Sequence, residues 1–399
     1  MIISYIRRSL LNLAKQFLCI IKKIEYKYQY KALLQLIGDE DFDVVNNSNE
    51  IPSGKKIIFI IPGMLTYIGG HISILRLGTI LHRYGYEVTY VTYGSQTKEE
   101  MEMAARLNLK NYAGNFLDKN FLNKVIADFV VATSWWSVYL AKKIKGYKLY
   151  FVQDYEPYFF CYGDNYFLAK TTYSLGFHII SLGKWNRAQI STNANIPIET
   201  IDYIDFPYEP NEYKIITKDY SQYTEKTNLK IVVYIKSDTK RLPILLQIIT
   251  KKLIDEMKKR GKVIKIIYFG SDNVLKLHNG INVGKLCVDE LNKLYREADF
   301  GIVASMTNIS LVPYEMLASG LPVIEFKDGS FNYFFPDECA IISDFNAKHL
   351  ADKIEEYCNN PTKLNLMISA AQAILKGLSW NKSGEQFIKI LDGIQKTHF

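Results

Sequence analysis

The chain alternates short β-branched apolar runs with helical stretches, and it does so twice. The first series is KKIIFIIPG (55–63), YEVTYVTYG (86–94), DFVVAT (128–133), YKLYFVQ (147–153) and HIISLG (178–183). The second is LKIVVYI (229–235), KVIKIIYFG (262–270), DFGIVAS (299–305), LPVIEF (321–326) and CAIISD (339–344). Apolar runs of this length read as strands covered on both faces, and strands separated by helices pair in parallel. Between the series lies YEPNEYKIITKDYSQYTEKTN (208–228), polar and without apolar periodicity, which reads as a linker. At 399 residues the chain is also long for a single core. The expected division is a basic helical segment 1–50, a first α/β domain 51–210, a linker 211–228, a second α/β domain 229–378, and a closing helix 379–399 able to cross back to the first domain. Two doubly wound, Rossmann-like α/β domains leave a cleft between their C-terminal strand edges, where such folds bind ligands.

The net charge of +8 is concentrated at one end. Residues 1–35 carry Arg7, Arg8, Lys15, Lys22, Lys23, Lys27 and Lys31 against Glu25 alone, so the body of the chain is nearly neutral and no nucleic-acid partner is expected. Ile3, Ile6, Leu10, Leu13, Phe17 and Ile20 form one helical stripe within that segment. A bilayer-spanning helix is not expected, because Arg7, Arg8 and Lys15 each oppose insertion by up to about 3 kcal/mol. Nor does it read as a secretory signal, since Lys15 interrupts the apolar run. Two readings remain: an amphipathic helix on an anionic membrane surface, or a helix packed on its own protein. The five cysteines form no Cys-x-x-Cys pair, which favours reduced thiols in the cytoplasm.

The chemistry concentrates at strand ends. Strand 229–235 runs into KSDTKR (236–241) and then a helix, an arrangement suited to anions, with Lys236 and Arg241 placed to reach two phosphate groups. A merely solvated basic loop is the alternative. ASMTNISLVPYEMLASGLPVIEF (304–326) places a helix near Pro313, capped by Gly320, so that Glu315 lies in the first turn facing the same cleft. A carboxylate there accepts both hydroxyls of a ribose while the preceding amides, at Ser310 and Leu311, face a diphosphate.

LVPYEMLASGLPVIEF resembles the second half of the donor-site motif of family-four retaining glycosyltransferases, which have the GT-B fold. The second glutamate of that motif matches Glu315, and the first acid is replaced by Thr307. Lys236 and Arg241 match the basic pair holding the donor pyrophosphate, Gly69–Gly70 the glycine pair of the first loop, and VGKLCVDELNKLYREADFGIVASM (283–306), with Gly284 and Lys285, the base-contact loop. ATSWWSVY (132–139) and FVQDYEPYFF (151–160) resemble the rhamnosyltransferase branch of bacterial surface-glycan synthesis. The resemblance covers roughly residues 55–396. It implies transfer of a sugar, L-rhamnose from its dTDP form in that branch, onto a glycan or lipid-linked glycan acceptor. It also implies retention at the anomeric carbon, with no metal and no separate cofactor; the basic segment 1–35, which the resemblance leaves uncovered, adds the expectation of a cytoplasmic protein peripheral on the inner face of the cell membrane.

Asp154 and Glu156 stand two apart in an aromatic run and mimic the Asp-x-Asp of metal-dependent transferases. If the loop stays extended before Pro157 they share a side. Beside Tyr155, Trp135 and Trp136 they are then expected to grip acceptor sugar hydroxyls, with Asp154 also among the catalytic residues; the alternatives are an Asp154 that only caps a turn and tryptophans that belong to the core. His71 follows the glycine pair and is either a helix-start residue facing the diphosphate or simply polar. A metal-dependent transferase using Asp154 and Glu156, or a nonenzymatic glycan-binding protein of the same fold, are the competing functions. A dinucleotide-binding oxidoreductase is disfavoured, because Gly63-x5-Gly69-Gly70 is not Gly-x-Gly-x-x-Gly.

Overall fold

A computed structural model of the chain describes residues 2–38, 41–47, 50, 52–236, 239–272 and 277–396, without the side chains of residues 2–13 and 239. The apolar stripe positions Ile3, Ile6, Leu10 and Leu13, and the basic Arg7 and Arg8, therefore lie outside the described side chains.

Helix α1 (Ile2–Leu36) precedes the first sheet. That domain follows as β1 (Lys56–Ile61), α2 (Gly69–Arg83), β2 (Glu87–Thr92), α3 (Lys98–Asn108), β3 (Asn115–Leu117), β4 (Ile126–Ala132), α4 (Trp135–Ala141), β5 (Lys145–Val152), α5 (Asp164–Thr171), β6 (His178–Leu182), α6 (Lys184–Ala194) and β7 (Asp202–Ile204). The second runs β8 (Asn228–Tyr234), α7 (Pro243–Lys259), β9 (Val263–Phe269), β10 (Ile281–Asn282), α8 (Val288–Glu297), β11 (Phe300–Ile302), α9 (Leu311–Ala318), β12 (Val323–Phe326), β13 (Ile341–Ser343), α10 (Ala347–Cys358) and α11 (Pro361–Leu375). Helix α12 (Trp380–Lys396) closes the described chain.

Both sheets are parallel, in the orders β3-β2-β1-β4-β5-β6-β7 and β10-β9-β8-β11-β12-β13. The ten expected strands are all present, and the two-domain α/β architecture is as the pattern predicts. Strand β1 shows why: Ile57, Phe59 and Ile61 enter one core, while Ile58 and Ile60 enter the other, so helices must cover both faces. The order reverses between β1 and β4, and again between β8 and β11. These reversals open the crevices that face each other across the cleft.

The linker is polar in composition but anchored by tyrosines. Tyr208, Tyr213, Tyr220 and Tyr223 are all buried, and Tyr220 donates to the Gly320 carbonyl at 2.5 Å. Helix α12 lies on the first sheet: Phe387 packs edge-on against Phe151, Gly384 sits against Ile80, and Ser383 donates to the Asp205 carbonyl. At the other end, Leu33 and Leu36 of α1 pack on the first domain, whereas Phe17, Leu18, Ile20 and Ile24 are exposed.

Candidate active site

A cleft of about 790 Å³ lies between the two sets of strand ends, lined from both domains and from the linker. Its size suits a ligand as large as a nucleotide sugar.

On the second-domain wall, Lys236 leaves the end of β8 and faces the cleft. The next basic residues fold as a 3-10 turn (Thr239–Arg241), and Leu242 then takes a left-handed conformation at φ 47°. With three residues per turn, neighbouring side chains point about 120° apart. Both Lys240 and Arg241 line the cleft, Lys240 with its ammonium 4.0 Å from the Phe159 ring centre and Arg241 more deeply set. Arg241 is only 5% exposed, and its terminal nitrogens donate to the carbonyls of Ala304 (3.4 Å) and Asn308 (3.0 Å). Arg241 therefore lines the cleft as the sequence leads one to expect, but its terminal nitrogens are engaged in bracing the 304–308 loop. Glu325 braces the same loop from below, accepting from the Ser305 hydroxyl (2.6 Å) and amide (3.0 Å).

That loop delivers the chain to α9. Helix α9 begins at Leu311, two residues before Pro313, and its N-cap Ser310 makes no side-chain cap. The Ser310 hydroxyl is buried without a hydrogen-bond partner and lines the cleft beside Leu311. Uncapped amides at a helix start favour an anion. Glu315, one turn on, also lines the cleft and accepts from the Tyr295 hydroxyl at 3.1 Å. Burial pushes its carboxyl up to about 7; the Tyr295 hydrogen bond opposes the shift and the Glu212 charge adds to it. Lys285 lines the cleft and pairs with Asp272 at 2.7 Å. Gly284, at φ 80°, makes the turn that presents it, its carbonyl accepting from the Gly270 amide.

On the first-domain wall, Gly69 and Gly70 form the first turn of α2. A Cβ at Gly69 would meet nothing within 4 Å, so backbone there is open to a ligand. His71 lines the cleft, and its Nδ1 accepts from the Leu65 amide at 2.7 Å. That bond leaves the proton on Nε2, and burial pushes the imidazole down to about 4, so it is a neutral donor near pH 7. Arg76, one turn further, is held by Glu209 (2.8 Å) and Glu212 (2.5 Å) of the linker.

The acceptor-side expectations change most. The backbone bends at residues 153–154, and Glu156 opens a 3-10 turn (Glu156–Phe159), so the extended alternation is lost. Asp154 and Glu156 take different partners and do not act as a pair. Glu156 accepts from the Trp135 amide at the start of α4 (2.5 Å), and burial pushes it up to about 8 despite that bond. It still lines the cleft. Asp154 lines the cleft as well, and its carboxylate meets the second domain. Its Oδ1 accepts from the amides of Tyr155 (2.9 Å) and Asn308 (3.0 Å), and its Oδ2 from Thr307 Oγ1 (3.0 Å) and Lys240 Nζ (3.1 Å). A carboxylate offers about four lone-pair sites, and all are taken, so Asp154 has no acceptor left for a sugar or a proton.

Trp135, Trp136 and Tyr155 are likewise corrected. Trp135 packs edge-on against Trp136, Tyr139 and Phe160 within the first-domain core, and Tyr155 is fully buried against Tyr173. None of the three lines the cleft. Among the described residues, no group of three or more His, Cys, Asp or Glu side chains is placed to hold a metal ion.

No family model matches the chain. It is 23% identical over 286 residues to the O-antigen biosynthesis protein RfbC of Myxococcus xanthus, covering 66% of this chain and 20% of that protein, so it spans about a fifth of that relative's length. Among solved structures, HepE of Anabaena in complex with UDP and glucose matches with TM-score 0.65 at 14% identity, over 85% of this chain and 100% of that one. WaaG, a glycosyltransferase involved in lipopolysaccharide biosynthesis, matches with TM-score 0.56 at 14% identity, over 84% and 99%. The two facing Rossmann-like domains are thus the GT-B fold. The structures it resembles are GT-B glycosyltransferases.

Proposed function

We propose that this chain transfers a sugar from a nucleoside diphosphate to a glycan acceptor, with retention at the anomeric carbon and without a bound metal. The observation carrying this reading is the second-domain wall. Lys236, Lys240, the unpartnered Ser310 hydroxyl and the uncapped start of α9 converge on one cleft with Glu315 behind them. That set supplies cations and donors for a diphosphate and a carboxylate for a ribose. Across from it, His71 offers a neutral Nε2–H, and Gly69–Gly70 leaves room for close approach.

In the proposed reaction the bond between the anomeric carbon and the diphosphate oxygen breaks. The two lysines and the helix start stabilise the charge that develops on the leaving group, the kind of preorganised electrostatics that dominates such catalysis. The acceptor hydroxyl oxygen bonds to the same face of that carbon, and its proton passes to a phosphate oxygen of the departing diphosphate. No protein nucleophile or base is required, which agrees with Asp154 having every acceptor site occupied.

The finer assignment is L-rhamnose from dTDP-rhamnose, added to a cell-surface glycan or its lipid-linked precursor. It is supported by Thr307 at the place of an acid, by the resemblance of ATSWWSVY and FVQDYEPYFF, and by the likeness to an O-antigen biosynthesis protein. We place the protein in the cytoplasm at the inner membrane face. Among the described residues no helix is long and apolar enough to cross a membrane. However, α1 exposes Phe17, Leu18, Ile20 and Ile24 alongside Lys15, Lys22 and Lys23, a surface suited to anionic lipid.

The test is a panel of nucleotide sugars, dTDP-rhamnose and UDP-glucose included, scored for binding and turnover in excess chelator. One donor is expected to bind and to be consumed under those conditions. A strict Mg²⁺ or Mn²⁺ requirement, or binding of glycans with no nucleotide sugar bound, sinks the proposal.

A further inference from the structure

Three of the four groups that hold the Asp154 carboxylate come from the other domain: Lys240 Nζ, the Thr307 hydroxyl and the Asn308 amide. Asn308 completes the seam by donating its Nδ2 to the carbonyls of Gln153 (2.8 Å) and Leu182 (2.9 Å), both on the first domain. Thr307 is 3% exposed and Asn308 2%, so these bonds are shielded from water and from its competition. The loop they fix, 304–310, is the one that ends in Ser310 and the start of α9. Lys240 belongs to the same cluster.

We infer that Asp154 is a positioning residue: its carboxylate clamps the second domain's donor-side loop and Lys240 to the first domain, setting the closed cleft without touching a sugar. Its consequence for turnover rests on the transferase reading given above; the clamp itself does not. The residue at 307 is matched to this role. A hydroxyl there donates to Asp154, whereas a carboxylate would set two buried like charges side by side. Positions 154 and 307 therefore form an acid–hydroxyl pair split between domains.

The clamp also separates binding from turnover. Lys240 touches both Asp154 and the cleft, so removing the Asp154 charge leaves Lys240 available to the donor diphosphate. What is lost is the registration of the two walls.

The experiment uses the full chain as wild type, Asp154→Asn, Thr307→Glu, Thr307→Ser and the double variant Asp154→Asn/Thr307→Glu. Small-angle scattering is measured without ligand, and thermal melting checks that each variant is folded. Asp154→Asn is nearly isosteric, but its Nδ2 must face donors where the carboxylate accepted. The radius of gyration is expected to rise in Asp154→Asn and Thr307→Glu, and to stay at the wild-type value in Thr307→Ser. The double variant is expected to return toward wild type, because the side-chain amide introduced at position 154 then donates to the carboxylate introduced at position 307. With the donor found in the panel above, Asp154→Asn is expected to lower kcat roughly tenfold or more while its donor KM moves less than about threefold. Identical scattering from wild type and Asp154→Asn overturns the clamp. A donor KM raised about tenfold with kcat unchanged overturns the positioning role and returns Asp154 to the substrate. If no donor is turned over by wild type, the transferase reading fails, and scattering alone decides the clamp.

Discussion

The carboxyl of Glu315 gives the sharpest handle on the donor site. Burial and the neighbouring Glu212 charge hold it up at about 7, against the hydrogen bond from Tyr295. If it accepts both hydroxyls of a ribose it must be ionised, so donor affinity should follow its ionisation. Between pH 6 and pH 8 the ionised fraction rises from about one tenth to about nine tenths. Affinity should then rise about tenfold, equivalent to about 1.4 kcal/mol. The ligand should be an intact nucleotide sugar, whose diphosphate diester does not titrate in this window, and the assay is calorimetry at constant ionic strength. Glu315→Gln should bind more weakly at pH 8, each lost charge-assisted bond contributing about 1.5–3 kcal/mol, and should show no pH slope. Glu212→Gln should move the midpoint to lower pH, because it removes the charge that helps hold the proton on Glu315. Flat binding by wild type, or a slope that survives Glu315→Gln, refutes the reasoning.

Glu156, raised to about 8 by burial, binds its proton more tightly folded than unfolded. Its stabilising contribution is complete below the unfolded value near 4.5 and is lost as pH rises through about 8, so melting temperature should fall between pH 6.5 and 8. His71 works in the opposite direction only below its ordinary 6.5, outside that window. Glu315 and Glu325, each raised to about 7 by burial, contribute with the same sign, so Glu156→Gln should reduce the slope, by up to about 1.4 kcal/mol per pH unit, without abolishing it; an unchanged slope in differential scanning fluorimetry would show that burial of Glu156 is not among its causes. Lys236→Ala should weaken nucleotide-sugar binding at least about tenfold by loss of one charge-assisted contact, with no change in melting temperature; unaltered affinity in calorimetry removes Lys236 from the donor site. Replacing Lys15, Lys22 and Lys23 by Glu should release the protein from phosphatidylglycerol vesicles in a flotation assay while donor binding persists. Retention of those variants on the vesicles would show that α1 is not the membrane contact.

Strand positions were legible because β-branched runs must be covered on both faces, a demand written into consecutive residues. The three strands the pattern does not reveal, β3, β7 and β10, are edge strands of two or three residues, too short to carry a period. The basic cluster after β8 was legible too, but not the partners its members take. Lys240 and Arg241 are neighbours in sequence and both line the cleft, yet Lys240 reaches Asp154 across it while Arg241 is held by the carbonyls of Ala304 and Asn308. Trp135, Trp136 and Tyr155 have the composition of a sugar platform and the burial of a core, and the two look alike until the facing sheet is in place. The bond between Thr307 and Asp154 joins residues 153 positions apart. Nothing local announces such a contact, although the absence of an acid at 307 was its visible half.

The chain passes between the domains twice, once through a linker anchored by four tyrosines and once into α12, which lies on the first sheet. Two crossings act as a double-stranded hinge: they permit rotation about the line joining them and resist twisting around either strand. The same geometry makes the first domain a poor candidate for isolation as a contiguous piece. A fragment ending before Trp380 would strip the cover from Phe151 and Ile80, and the first domain would expose the apolar face on which Phe387 and Gly384 now rest.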